Sequence, residues 1–265
     1  MTEAWAAARL EPGAVLRAAR FEWRLAWQRR RLRLPAALAL LPVAVALVGL
    51  LLQRTGVVVV QGSDVLSQIV GTLFLQFLVV LLPLVHGTAL VAQEAEARTL
   101  VYLLVRPLSR GSLLVGKFLG SWLATGLQLV IALVATAALL LGAEAFSSPG
   151  EWAGRIALLG LSLVLGSLAY GALFTLVGLV FSRPAFVGLF LAFGWETAIP
   201  FLPGWIRHLT VRYHLASVLP AGLLPPGLLS AIDPPTPLVG LAWMLGGAVV
   251  ALAGAVLLFA RRDYP

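Results

Sequence analysis

The stretch Gly111-Ser-Leu-Leu-Val-Gly116-Lys117 comes nearest to a phosphate-handling motif in this chain. Its glycine and lysine spacing suits a loop whose backbone N–H groups cradle phosphates, but Phe118 stands where a Ser or Thr hydroxyl would hold Mg²⁺. Such a loop also follows a β-strand, whereas this stretch follows a charged, helix-forming segment. The chain is therefore not expected to hydrolyse a nucleotide itself. His86, Glu94 and Glu196 are the other candidates for acid–base work. None belongs to an H-E-x-x-H motif, a His pair at ligand spacing, a catalytic carboxylate pair or a nucleophile motif. With no Cys and three His in 265 residues, disulfides and thiolate metal sites are excluded, and little material is left for a metal centre. The net charge of +8 is concentrated: eight of the 19 Lys and Arg residues precede the first long apolar run. That placement suits a membrane surface and argues against a nucleic-acid partner.

The elements that position these residues belong in a membrane. The chain is 60% hydrophobic and 11% charged, where a soluble domain carries about 25% charged residues. Six apolar segments, 34–52, 65–91, 118–143, 153–181, 185–203 and 238–260, approach or exceed the roughly 20 residues a helix needs to cross the hydrocarbon core. They are too long for membrane β-strands. The expected fold is an all-α integral membrane protein with six transmembrane helices, each satisfying its own backbone groups in lipid. Residues 1–33 predict an N-terminal interfacial helix. Arg17, Arg20, Arg24, Gln28 and Arg31 form a face for phosphates, and Leu16, Ala19, Trp23, Ala26 and Trp27 a face for acyl chains. Phe21, Leu25 and Arg30 fall on the wrong sides of that pattern.

Orientation follows from the basic residues. With the N-terminus cytoplasmic, the inner segments carry the eight N-terminal arginines, Arg98, Arg106, Arg110, Lys117, Arg183, Arg261 and Arg262; the outer ones carry only Arg54, Arg155, Arg207 and Arg212. Both termini are then cytoplasmic, with a short tail at 261–265. The long outer loop, 204–237, holds six prolines and two histidines, His208 and His214, read as exposed. Its apolar pieces, 215–219 and 222–229, are too short to span and are expected to fold against the bundle as interfacial or re-entrant helices.

Polar residues recur within the spans. Gln68, Thr72, Gln76, Pro83 and His86 share a face of the second; Lys117, Ser121, Thr125, Gln128 and Thr136 share a face of the third. Either stripe can line a substrate path or hold helices together. Gly160, Ser167, Gly171, Thr175 and Gly178 share a face of the fourth span, and Gly116 and Gly120 form a G-x-x-x-G; both suit close helix packing or a subunit contact. Glu196 lies within the fifth span, followed by Pro200 and Pro203; a carboxylate at that depth needs a partner or a purpose, and a structural or gating role is preferred over substrate ligation.

The most charged internal stretch is AQEAEARTLVYLLVRPLSRGSLLVGKFLG, residues 92–120. A helix over 94–106 presents Leu100, Leu103 and Leu104 on one side, Pro107 stops it, and Ser109 is placed to cap the next helix. It reads as a cytoplasmic elbow on which a soluble partner can push. The pattern E-x-E-x-R-T-L-x-x-L-L-x-R-P-L-S-R-x-x-L-L-x-G-K, carried by Glu94, Glu96, Thr99, Leu100, Leu103, Leu104, Arg106, Pro107, Ser109, Arg110, Gly116 and Lys117, resembles the loop between the second and third spans of ABC-2 type transporter permeases. Trp195-Glu196 is similar to a Trp-Glu pair in one branch of that family. The resemblance implies a permease of the cell (inner) membrane that is not itself an enzyme, paired with a second permease subunit as a homodimer or heterodimer among membrane lipids. Two copies of an ATP-binding subunit would bind ATP and Mg²⁺, leaving no cofactor in this chain. Coupling to that subunit would fall to Glu94, Glu96, Arg98, Thr99, Leu100, Leu103, Leu104, Arg106, Pro107, Ser109 and Arg110, and the complex would export an unidentified substrate. The competing readings are an intramembrane enzyme built on Glu196 and His86, and a non-transporting anchor or assembly factor with the same fold.

Overall fold

The computed structural model describes residues 10–55, 61–96, 109–199, 205–219 and 234–261. All regular structure among them is helical. A first helix, α1 (Pro12–Ala26), precedes α2 (Arg29–Arg54). The second crossing combines α3 (Gly62–Ile69), a π-helical segment (Val70–Leu78) and α4 (Val79–Glu96). Then come α5 (Arg110–Ser147) and α6 (Pro149–Val180), followed by the shorter α7 (Pro184–Leu189), a second π segment (Phe190–Trp195) and α8 (Glu196–Ala198). A 3₁₀ turn (Trp205–Leu209), α9 (Val211–Ala216) and α10 (Pro237–Arg261) complete the described chain.

Five of these stretches are long and apolar enough to cross a membrane: Arg31–Arg54, Gly62–Thr88, Arg110–Gly142, Pro149–Val180 and Pro237–Arg261. The expected fifth span differs. Its described part is an apolar helix, Pro184–Trp195, that continues through α8 to Ala198, while residues 200–203 lie outside the described residues; the Glu196 carboxylate serves a separate helix, α9. The N-terminal boundary also moves. The chain breaks at Trp27 and Gln28, so Arg31 belongs to α2 and not to the basic face of α1. Within α5, Gly142 takes φ +24°, a kink that a side chain would strain, and the helix resumes to Ser147.

Phe74, Leu82, Leu129, Leu133, Leu159 and Leu163 form the centre of the bundle where the second crossing, α5 and α6 meet. A second cluster, with Phe118, Ala172, Ala255 and Phe259, seats α10. Gly87 lets α4 and α6 touch: a Cβ there would lie 3.0 Å from Phe174 Cβ and 3.2 Å from the Gly171 carbonyl oxygen. By contrast α2 and α10 are only 17% buried over their apolar windows, leaving broad faces for lipid or another chain.

Several chain ends gather at one end of the bundle. The Lys117 Nζ donates to the Leu90 carbonyl (2.9 Å), Arg110 to the Ala260 carbonyl (3.2 Å), and the Glu11 N–H to Ser112 Oγ (2.7 Å). The start of α1, the last described turns of α4 and α10 and the start of α5 are thereby tied together.

Candidate functional site: two buried carboxylates

The tied end surrounds the first three turns of α5. Ser109 caps that helix as its sequence suggested, its side chain accepting from the Ser112 N–H at 3.3 Å. From Arg110 to Gly142, α5 has 33 residues, about 50 Å at 1.5 Å per residue, against a hydrocarbon core of about 30 Å. Its N-terminal turns have length to spare, and α1 docks there. The docking face is not the one the helical wheel emphasised. Ala14, Ala18, Glu22 and Ala26 are buried, while Arg17, Arg20 and Arg24 remain exposed. Small residues meet small residues: a Cβ on Gly116 would lie 2.5 Å from Ala18 Cβ, and one on Gly120 would lie 2.4 Å from the Ala19 carbonyl oxygen. The G-x-x-x-G of α5 is thus filled by α1 of the same chain.

Glu22 sits at the middle of this contact with 4% of its surface exposed. Its Oε1 accepts from Arg31 at 3.0 Å, and its Oε2 lies 3.9 Å from the buried Lys117 Nζ. Glu22 therefore joins α1 to the start of α2 and, through Lys117, to Leu90 near the end of α4. Arg31, read from the sequence as facing phosphates, is held in this cluster instead.

The second buried carboxylate is Glu196, 5% exposed. Its Oε1 accepts from the Val211 N–H at 2.9 Å and its Oε2 from the Arg212 N–H at 3.1 Å. These are the first two donors of α9, which have no partner within their own helix. The Tyr170 hydroxyl of α6 hydrogen-bonds the same carboxylate. α9 packs between α6 and α10; of the apolar pieces of the outer loop expected to fold against the bundle, 215–219 begins in its last turn and 222–229 lies outside the described residues. This corrects the reading of His214 as exposed. It is buried, stacked on Trp243 at 4.2 Å, with Nε2 2.8 Å from the His208 carbonyl, because α9 is tucked beneath the start of α10. His208 is exposed. An apolar cavity of about 200 Å³ lies beside Glu196, walled by Tyr170, Phe174, Trp195, Trp243 and Met244.

The two polar stripes part company. On the third span Lys117, Ser121, Thr125, Gln128 and Thr136 are all buried inside the bundle. Ser121, Thr125 and Thr136 donate to carbonyls three or four residues back in their own helix. Thr125 Oγ1 lies 3.3 Å from His86 Nδ1, which donates to the Leu82 carbonyl at 3.0 Å. The space these groups enclose is about 10 Å³, room for about one water. On the second span Gln68 and Thr72 are exposed and Gln76 half-exposed. The π segment alters the 100° advance per residue there, so the stripe turns from the bundle surface at Thr72 towards the interior near His86.

Glu94 and Glu96 lie in the last turns of α4. Arg98, Thr99, Leu100, Leu103, Leu104, Arg106 and Pro107 lie outside the described residues, so of the expected coupling residues the structure gives side-chain positions to Ser109 and Arg110. Glu22 and Tyr170 were missed by sequence reasoning. Glu22 had a signal: it is the only acid in α1, set among arginines. Tyr170 had none, since its role depends on where α7 and α9 fold.

A family model described as ABC-2 family transporter protein matches residues 58–210, more than half of the chain, from just before the second crossing to the residue before α9. No curated protein matches the chain. The matched region, the helical architecture and the multiple apolar spans agree, and the chain belongs to the ABC-2 family of transporter proteins as a multi-pass membrane permease.

Proposed function

We propose that this chain is one of two permease subunits of an exporter in the cell's inner membrane, driven by a separate ATP-binding subunit that engages residues 94–110. In this reading the chain makes six crossings with both termini cytoplasmic. The fifth crossing is built in two pieces, the helix from Pro184 to Ala198 and then α9, joined by Glu196. The end of α10 beside the start of α5 supports this, because an even number of crossings returns the chain to the side on which it began.

The observation that carries the reading is the outward-facing polar strip on the second span. Gln68 and Thr72 are exposed on a helix that otherwise suits hydrocarbon, and polar groups at that depth face a cavity or a partner in preference to lipid tails. Two copies facing each other across this strip would enclose a polar path between them. The third-span stripe then serves helix packing. The intramembrane-enzyme alternative loses its residues, since both oxygens of Glu196 are occupied by α9 and His86 is hydrogen-bonded into its own helix. The chain has no Cys, so a single introduced cysteine reports alone. Thr72→Cys is expected to give a disulfide-linked dimer on oxidation in membranes, while Leu158→Cys, exposed on α6, is not. Absence of a Thr72→Cys dimer, with short bifunctional crosslinkers as well, would remove the paired path.

A further inference from the structure

A long apolar furrow runs between α5 and α6, beginning where α1 ends its contact with α5. Its first part, about 510 Å³, is lined by Trp23 and Arg20 of α1 and by Leu123, Gly126 and Leu127 of α5. Its second part, about 480 Å³, continues between Leu133 and Val134 of α5 and Ala153 and Ile156 of α6. The two parts share Val130 and Val164. The furrow is deep because Gly126 faces Val164 and Gly160 faces Val130: a Cβ at either glycine would lie 3.3 Å and 3.6 Å from those side chains. From Leu123 to Val134 is about 16 Å of helix, close to the roughly 15 Å depth of one leaflet's hydrocarbon.

The end at α1 is different. Arg20 lines it, Arg17 and Arg24 flank it on the same helix, and all three are exposed with no ion-pair partner among the described residues. Trp23 lies beside them, an amphipathic ring of the kind that settles at headgroup level. A slot of one-leaflet length, apolar throughout and ending on unpaired guanidinium groups, has the chemistry of an anionic phospholipid: an acyl chain in the furrow, and a phosphate on Arg20.

We propose that the α5–α6 furrow binds one anionic phospholipid of the cytoplasmic leaflet, with its headgroup held by Arg20. The leaflet assignment rests on the cytoplasmic placement of α1 proposed above. The lipid would fasten α1 against α5 at the end of the bundle where the expected coupling segment begins.

The test uses the full chain in nanodiscs of phosphatidylcholine in which about one lipid in ten is phosphatidylglycerol, followed by native mass spectrometry of the lipids retained. The wild type is expected to retain one phosphatidylglycerol in preference to phosphatidylcholine. Arg20→Gln should lower that retention about fivefold, Arg20→Lys should preserve most of it, and Arg183→Gln, an exposed arginine elsewhere, should leave it unchanged. Equal retention by Arg20→Gln and wild type, or equal losses in Arg20→Gln and Arg183→Gln, would overturn the proposal. So would a wild type without preference for the anionic lipid. A Leu127→Cys variant that crosslinks two copies through the furrow would also overturn it, by assigning the slot to a subunit interface. Nanodisc leaflets carry the same lipids, and the readout needs neither an ATP-binding subunit nor a substrate, so failure here leaves the permease reading standing.

Discussion

Replacing Glu196 with leucine is expected to destabilise the folded chain by about 3 kcal/mol, because the first two backbone donors of α9, one buried and one partly buried, lose their acceptor together. Hydrogen bonds between side chains of membrane helices often contribute only about 0.6 kcal/mol, since the groups find other partners. The Val211 and Arg212 N–H groups are different. They open a short helix wedged between α6 and α10, so they have no carbonyl in their own helix and little access to water. Glu196→Gln should fall between, because its amide offers one oxygen and turns N–H groups towards the second donor. Tyr170→Phe should cost less, on the order of 1 kcal/mol, since the carboxylate keeps both backbone donors. The measurement is thermal unfolding in detergent, with limited proteolysis to follow release of α9. A leucine variant with wild-type midpoint and wild-type cleavage would mean that the cap carries no weight.

The second large effect concerns α1. Gly120→Leu is expected to undock this helix, because even a Cβ at that position meets the Ala19 carbonyl at 2.4 Å and Glu22 Cβ at 2.9 Å. Neither contact is the far end of a flexible side chain, so the helices must separate. Glu22→Ala should also loosen α1, through charge instead of shape: it leaves Lys117 buried with a carbonyl as its acceptor and Arg31 without its carboxylate. Removing one member of such a buried cluster typically costs about 3–5 kcal/mol, and replacing the charged partners together costs much less. The 3.9 Å separation of Glu22 and Lys117 places their share at the low end, with the 3.0 Å contact to Arg31 the stronger. Glu22→Met combined with Lys117→Met should therefore recover part of the loss seen in Glu22→Met alone, a coupling of about 1 kcal/mol. A cysteine placed at Ala18 reports the docking: it should be protected from a maleimide in the wild type and labelled in Gly120→Leu. Equal protection in both would contradict the close-packed contact.

The parts of this architecture that follow from local chemistry were legible in the sequence. Apolar runs of membrane length gave five of the spans, four of them to within four residues at each end and the third beginning eight residues late at 118, and Ser109 before Arg110 marked a helix start. The segment 185–203 carries less of this signal: its described part, to Ile199, includes a π segment and a carboxylate that caps a separate helix, which hydropathy summed over the run does not register. His214 looked exposed because a proline-rich loop hides how far it folds inward. The face of α1 was misassigned for a related reason. Alanines at 14, 18 and 26 carry little hydrophobic signal, and their value appears only opposite Gly116 and Gly120. The π segment at 70–78 similarly defeats a wheel drawn at a constant angle, so a stripe that looked continuous from Gln68 to His86 begins outside the bundle and ends within it.

The central claim is that this permease is moved by ATP hydrolysed on another chain through the segment between α4 and α5. The most direct test is affinity purification of the chain from its native cells in mild detergent after crosslinking, with mass spectrometry of what accompanies it, repeated with Arg106→Glu. The account expects an ATP-binding cassette subunit in equal number with the wild-type chain, and its loss from Arg106→Glu while the bundle remains folded. Recovery of the chain with no ATP-binding subunit, or undiminished recovery of that subunit with Arg106→Glu, would contradict it.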